Sequence, residues 1–129
     1  MRLFDVHSHW GTRRGYVLRS EAALAQQAKT WRSEPKYDTE DEMAQYLRAS
    51  QVRAILDFGF TKNLPLDEVV PLHDYALQVQ AKYPDAVFGH WLQIDPRSGE
   101  AGAAELERGS ICSQWPKTAS GYFACTCSA

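Results

Sequence analysis

Apolar and polar positions alternate from the start of the chain. Between Arg2 and Ser8, Leu3, Asp5 and His7, followed by His9, fall on one side, and Phe4, Val6 and Ser8 fall on the other. That period of two predicts a strand. Trp10-Gly11-Thr12-Arg13-Arg14-Gly15-Tyr16 breaks the pattern with two glycines and two arginines and reads as a loop. Ser20 is placed to cap a helix through Glu21–Ala28, and Ser33-Glu34-Pro35 ends it. Thr39-Glu40-Asp41-Glu42 is a capping box, with its acids where a helix dipole favours them. Met43, Tyr46, Leu47 and Ser50 follow at helical spacing, and the helix is expected to stop near Ser50. Val52 to Gly59 reads as a second strand. Leu66 to Tyr83 reads as a helix with Leu72, Tyr75, Ala76, Val79 and Tyr83 on its apolar stripe, and Pro84 closes it. Pro71 belongs to its first turns or splits off a short preceding turn. Ala86 to Ile94 reads as a third strand ended by Asp95-Pro96, and Ser98-Gly99 opens a last helix from Glu100 to Arg108.

Strands alternating with helices imply parallel strands joined by right-handed crossovers. From Gly109 the period is lost. The stretch to Ala129 is rich in Ser, Thr and Gly and holds all three cysteines, Cys112, Cys125 and Cys127. The expected division is therefore an α/β unit over residues 1–108 and an irregular tail over 109–129, arising from truncation or from a change of reading frame. Tyr122–Cys127 is a candidate late strand. Three clustered cysteines make no disulfide framework. Cys125 and Cys127 are either half of a metal site or an incidental pair near a terminus.

Composition narrows the function. With 129 residues, 44% hydrophobic, 23% charged and a net charge of −2, the chain has the proportions of a globular protein. It lacks the basic face that nucleic-acid or membrane-surface binding requires, and it has no apolar run of about 18 residues. No secretory pattern opens the sequence, so the cytoplasm is the expected location. No phosphate-binding glycine loop and no nucleophile elbow is present.

The strongest chemical signal is Asp5-Val6-His7-Ser8-His9. Two histidines two apart on a strand point the same way, at the strand's C-terminal end. A converging imidazole pair is a divalent-metal claw suited to zinc; the alternative is two ordinary surface histidines. Asp5, on the same side, is expected either to orient a ligand or to cap the strand layer. Arg13 and Arg14 in the following loop are candidates for gripping a substrate carboxylate in the bidentate manner. His90 reads as a packed core histidine near mid-strand, and His73 as a solvated helix position.

These residues carry a resemblance. Phe4-Asp5-Val6-His7-Ser8-His9-Trp10, Ser50–Leu56, Ala81–Gly89 with its Pro84-Asp85, Ile94-Asp95-Pro96 and Ala103–Arg108 together resemble the amidohydrolase-related family of metal-dependent hydrolases and decarboxylases, over roughly residues 2–108. The resemblance implies a (β/α)8 TIM barrel, of which this chain holds three to four strands. It also implies one divalent metal, usually zinc, with His7 and His9 as its first two ligands. The family's later ligands and its catalytic acid/base lie on strands this sequence does not contain, so the catalytic residues stay unassigned. A barrel of this kind takes about 250 residues. Three expectations follow: a hydrolase acting on a small carboxylate or lactone through metal-activated water, a non-oxidative decarboxylase of the same fold, or a non-catalytic half-barrel fragment or subunit. The last would form homo-oligomers or associate through an exposed sheet edge.

Overall fold

The computed structural model describes residues 3–16, 20–58 and 64–112. Arg2, Gly59 and the tail from Ser113, including the candidate strand Tyr122–Cys127, lie outside the described residues. The order of elements is β1 (Leu3–Ser8), α1 (Glu21–Trp31), α2 (Glu40–Ala49), β2 (Val52–Leu56), α3 (Leu66–Lys82), β3 (Val87–His90) and α4 (Gly99–Cys112), with a 3-10 turn at Pro96–Ser98. It is a mixed α/β fold on a three-stranded parallel sheet in the order β1-β2-β3.

The predicted caps form. Ser20 accepts the Ala23 amide at 3.2 Å to start α1, which runs on to Trp31 and ends with Arg32 in the left-handed region at φ 53°. Thr39 and Glu42 satisfy each other's backbone amides at the start of α2, at 3.2 and 2.7 Å. The buried face of α2 is Ala44 and Leu47 with Met43 beside them, whereas Tyr46, expected on the stripe, is exposed. In α3 the stripe is as read, with Val69 added, and Pro71 lies inside the helix.

Ala44 and Leu47 of α2 and Tyr75, Ala76 and Val79 of α3 close on Ala54, Leu56 and Val87 in one apolar core. Both helices therefore cover the same face of the sheet. The opposite face carries Phe4, which meets the Phe88 ring edge-on at 5.2 Å, and Arg53, whose guanidinium lies 4.8 Å from the same ring. Phe4 and Val6 are 54% and 60% exposed there.

Two irregularities of register position the site. In β1, Asp5 pairs with Ala54 but Ser8 pairs with Leu56, so one extra residue is inserted near Val6–His7. Such a bulge resets the alternation of side chains. Asp5 and Ser8 then share the helix-covered face with Ala54 and Leu56, and His7 and His9 go to the other. In β3 the step from Ala54↔Val87 to Leu56↔His90 turns His90 onto the helix side.

β3 is shorter than the expected Ala86–Ile94. Its last ladder bond is from the Trp91 amide to Leu56 O at 2.9 Å. Beyond it, Leu92 and Ile94 leave the sheet to pack on α4: a Cβ on Gly109 would stand 2.7 Å from Leu92 Cδ2, and one on Gly102 2.6 Å from Ile94 Cγ2. The helix α4 also continues through Gly109 to Cys112, where the sequence pattern predicts irregular chain. Among the described residues no helix is long and apolar enough to cross a membrane.

Candidate metal centre at the C-terminal edge of the sheet

The ends of the three strands meet at one edge. His7 lies at the end of β1 and His9 just after it, Asp57 follows β2, and Trp91 and Gln93 follow β3. The rings of His7 and His9 stand edge to face with centroids 5.1 Å apart, so the predicted pairing forms. Asp57 joins them. Its Oδ2 lies 2.9 Å from His7 Nε2, its backbone carbonyl lies 3.3 Å from His9 Nδ1, and its Oδ1 accepts from Gln93 Nε2 at 2.9 Å. The Asp57 amide donates to Ser8 O at 2.9 Å, and the Trp91 indole donates to Val6 O at 2.7 Å, which ties the β1 bulge to its neighbours.

Asp5 does not share the histidines' side. Its carboxylate accepts the His7 amide at 3.0 Å and so satisfies a backbone group that the bulge removes from the ladder. The carboxylate that meets a histidine ring is that of Asp57, which the sequence pattern did not single out. The available signal was an acidic residue immediately after an apolar strand, at the same edge as the histidine pair.

Arg13 and Arg14 make their contacts elsewhere. Arg13 reaches Glu21 at 3.3 Å and lies 5.4 Å from the Tyr37 ring. Arg14 stacks 4.0 Å from the Tyr75 ring and donates to Gln78 at 3.4 Å. The loop bearing them is anchored by Trp10, which is 1% exposed. Gly15 permits that anchoring, since a Cβ there would fall 2.6 Å from Trp10 O. Arg13 also lines an open groove of about 740 Å3 with Lys29, Arg32, Glu34 and Tyr37; none of the groove's lining residues comes from the strands.

His73 is not solvated. It is buried between α3 and α4, where Nδ1–H donates to Glu105 Oε1 at 2.7 Å and Nε2 accepts the Gln93 amide at 3.2 Å. Burial lowers the His73 pKa against the opposing pull of Glu105. Burial works to raise that of Glu105, but the hydrogen bonds from Arg108 and His73 outweigh it and leave the carboxyl low. Sequence reasoning could have found His73, because it continues the Val69–Leu72–Ala76 stripe. His90 is packed against α3 as expected, but it ends β3 and does not stand near mid-strand, because the strand stops four residues earlier than its sequence pattern suggests: Nδ1 meets Gln80 Oε1 at 3.4 Å, and desolvation lowers its pKa to about 4.

Two imidazoles are fewer donors than a protein metal centre uses. A catalytic zinc takes three protein ligands and a structural one takes four. The paired imidazoles supply two, and among the described residues no group of three or more His, Cys, Asp and Glu is arranged to hold an ion. Comparison of the chain with protein-family models, with curated proteins and with solved structures gave no match in any of the three. What the fold and site define is therefore a class: an α/β protein whose parallel sheet presents a histidine pair at its C-terminal edge.

Proposed function

We propose that the chain carries the first part of a metal-dependent hydrolase site of the amidohydrolase type, in the opening strands of a TIM barrel. The observation that supports it is the juxtaposition of His7 and His9 at the C-terminal edge of a parallel sheet, on the face away from α2 and α3. Sequential strand order with the packed helices on one face is the way a (β/α)8 barrel starts. His7 and His9 would hold one divalent ion, zinc suiting them best, and at least one further ligand comes from outside the described residues. When bound, the ion supplies an acidified water and stabilises negative charge at a carbonyl or carboxylate. The substrate is a small carboxylate or a lactone. Arg13 and Arg14 bind a substrate carboxylate only by exchanging Glu21 or Gln78 for it.

Zinc titration of chelator-washed protein tests this reading. Weak binding that His7→Ala and His9→Ala each abolish supports it, and zinc binding indifferent to both substitutions overturns it. Lactone hydrolysis against CO2 release from an unsaturated acid separates the hydrolase from the decarboxylase.

A second reading, a non-catalytic half-barrel subunit that pairs with another copy, is favoured by the exposure of Leu3, Phe4 and Val6 on β1, an edge strand among the described residues. Parallel sheets are ordinarily covered on both faces. Light scattering that finds a dimer or larger species supports this reading, and a monomer counts against it.

A further inference from the structure

We infer that Asp57 is a positioning residue that sets the two histidines in opposite tautomers, so that the nitrogens offered to an ion are Nδ1 of His7 and Nε2 of His9. The inference rests on the metal reading for its purpose but not for its geometry. A carboxylate oxygen and a backbone carbonyl only accept hydrogen bonds. At 2.9 Å from Asp57 Oδ2, His7 Nε2 must therefore carry the ring proton, which puts the lone pair of the neutral ring on Nδ1. At 3.3 Å from Asp57 O, His9 Nδ1 must carry its proton, which puts the lone pair on Nε2. One residue thus fixes both rings, one through its side chain and the other through its backbone.

The carboxylate is itself held. Gln93 Nε2 donates to Oδ1 at 2.9 Å, and the Gln93 backbone amide is pinned on buried His73 at 3.2 Å. The Asp57 side chain is 13% exposed, against 59% for His7, so the anchor is rigid where the ring it orients is open to solvent. Metal-binding histidines ordinarily have their second nitrogen hydrogen-bonded to a carboxylate or a backbone carbonyl, and loss of such a partner weakens metal binding roughly 10- to 100-fold. Asp57 offers both kinds of partner at once.

The two routes come apart under mutation, because Asp57→Ala removes the carboxylate and leaves the carbonyl. Long-range 1H–15N correlation spectra of the metal-free full chain at pH 8 read the tautomers directly. The expected wild-type result is His7 protonated on Nε2 and His9 protonated on Nδ1. In Asp57→Ala, His7 is expected to drift to a mixture of tautomers while His9 keeps its own. Gln93→Ala, which loosens the carboxylate without removing it, should shift His7 part of the way. Wild-type His7 protonated on Nδ1, wild-type His9 protonated on Nε2, or a His7 signal unmoved in a folded Asp57→Ala protein would each overturn the inference. The wild-type spectrum decides even where a variant does not fold. Adding zinc chloride then tests the other layer. Shifts confined to His7 Nδ1 and His9 Nε2, weakened roughly 10-fold or more in Asp57→Ala, are expected. Correct tautomers with no zinc response in either ring would remove the metal reading and leave the positioning role standing.

Discussion

His73 and Glu105 face each other across the α3–α4 contact at 2.7 Å, each side chain only 5% exposed. Arg108 completes the group by gripping both oxygens of Glu105, at 2.6 and 2.7 Å, while reaching Asp74 at 2.8 Å. This polar group carries the amide of Gln93, and through the Gln93 side chain it reaches Asp57. The edge of the sheet that bears the histidine pair is thereby fastened to the last helix.

Removing Glu105 should be costly. It leaves the buried His73 Nδ1–H without its acceptor, and a stranded buried donor costs about 1–3 kcal/mol. Arg108 is 38% exposed and keeps Asp74, so the expected loss for Glu105→Ala stays within that range, about 2 kcal/mol. Glu105→Gln keeps an acceptor for His73 and should lose less. Urea denaturation followed by tryptophan fluorescence checks the order. Equal loss in the two variants would mean that the His73 hydrogen bond contributes nothing beyond charge.

Acid should loosen the same region through His90. Its folded pKa is depressed to about 4 from an ordinary 6.5, by burial first and then by the nearby His73 and Arg108. The unfolded chain therefore binds more protons than the folded one between those values. Stability from the neutral ring is complete above pH 6.5 and is lost progressively as pH falls toward 4. His73, depressed in the same direction, adds to the slope. The unfolding midpoint measured from pH 7.5 to 4.5 should fall with pH in the wild type and fall less steeply in His90→Gln. Parallel slopes would place the acid sensitivity in other groups.

The capping box and the apolar stripe of α3 were legible because local chemistry alone determines them. So was the His7–His9 pairing, since the two residues are close neighbours in sequence. Three features were not legible, each for a physical reason. The bulge in β1 moves Asp5 away from the histidines, and a bulge is set by what neighbouring strands offer, not by the period of the strand itself. Asp57 and Gln93 become partners only when β2 and β3 lie side by side, 36 residues apart in sequence. The exit of Leu92 and Ile94 from the sheet depends on the bare surface that Gly102 and Gly109 give α4. Their alternation with Trp91 and Gln93 otherwise reads as a continuing strand.

The α2 start gives a clean local test. Thr39 Oγ1 accepts the Glu42 amide while the Glu42 carboxylate takes the Thr39 amide and hydroxyl, and these bonds lower the Glu42 pKa. Thr39→Ala should cost about 1 kcal/mol, the usual loss for a capping hydroxyl. Thr39→Ser should cost little. Thermal melts of the two variants check it, and an undisturbed Thr39→Ala protein would show that tertiary packing, not the cap, holds the first turn.

The contact between α4 and the chain after β3 yields the sharpest contrast. Alanine in place of a helical glycine gains about 1 kcal/mol of helix propensity. At Gly102 the new methyl would stand 2.6 Å from Ile94 Cγ2 and 3.0 Å from Ser98 Cβ. A β-branched side chain has little rotamer freedom with which to yield. Overpacking of this kind costs about 1–3 kcal/mol, so Gly102→Ala should be destabilising on balance. At Gly109 the methyl meets Leu92 Cδ2 at 2.7 Å and Cδ1 at 2.8 Å, the ends of a side chain that can turn away, so Gly109→Ala should be close to neutral. The difference carries to the sheet edge, because Gln93 lies between Leu92 and Ile94. A displaced Ile94 should loosen Gln93 from Asp57, and Gly102→Ala should therefore broaden the imidazole resonances of His7 while Gly109→Ala leaves them sharp. Equal melting temperatures for the two variants would refute the tight seating of Ile94, and a sharp His7 signal in a destabilised Gly102→Ala protein would refute the link from α4 to the histidine pair.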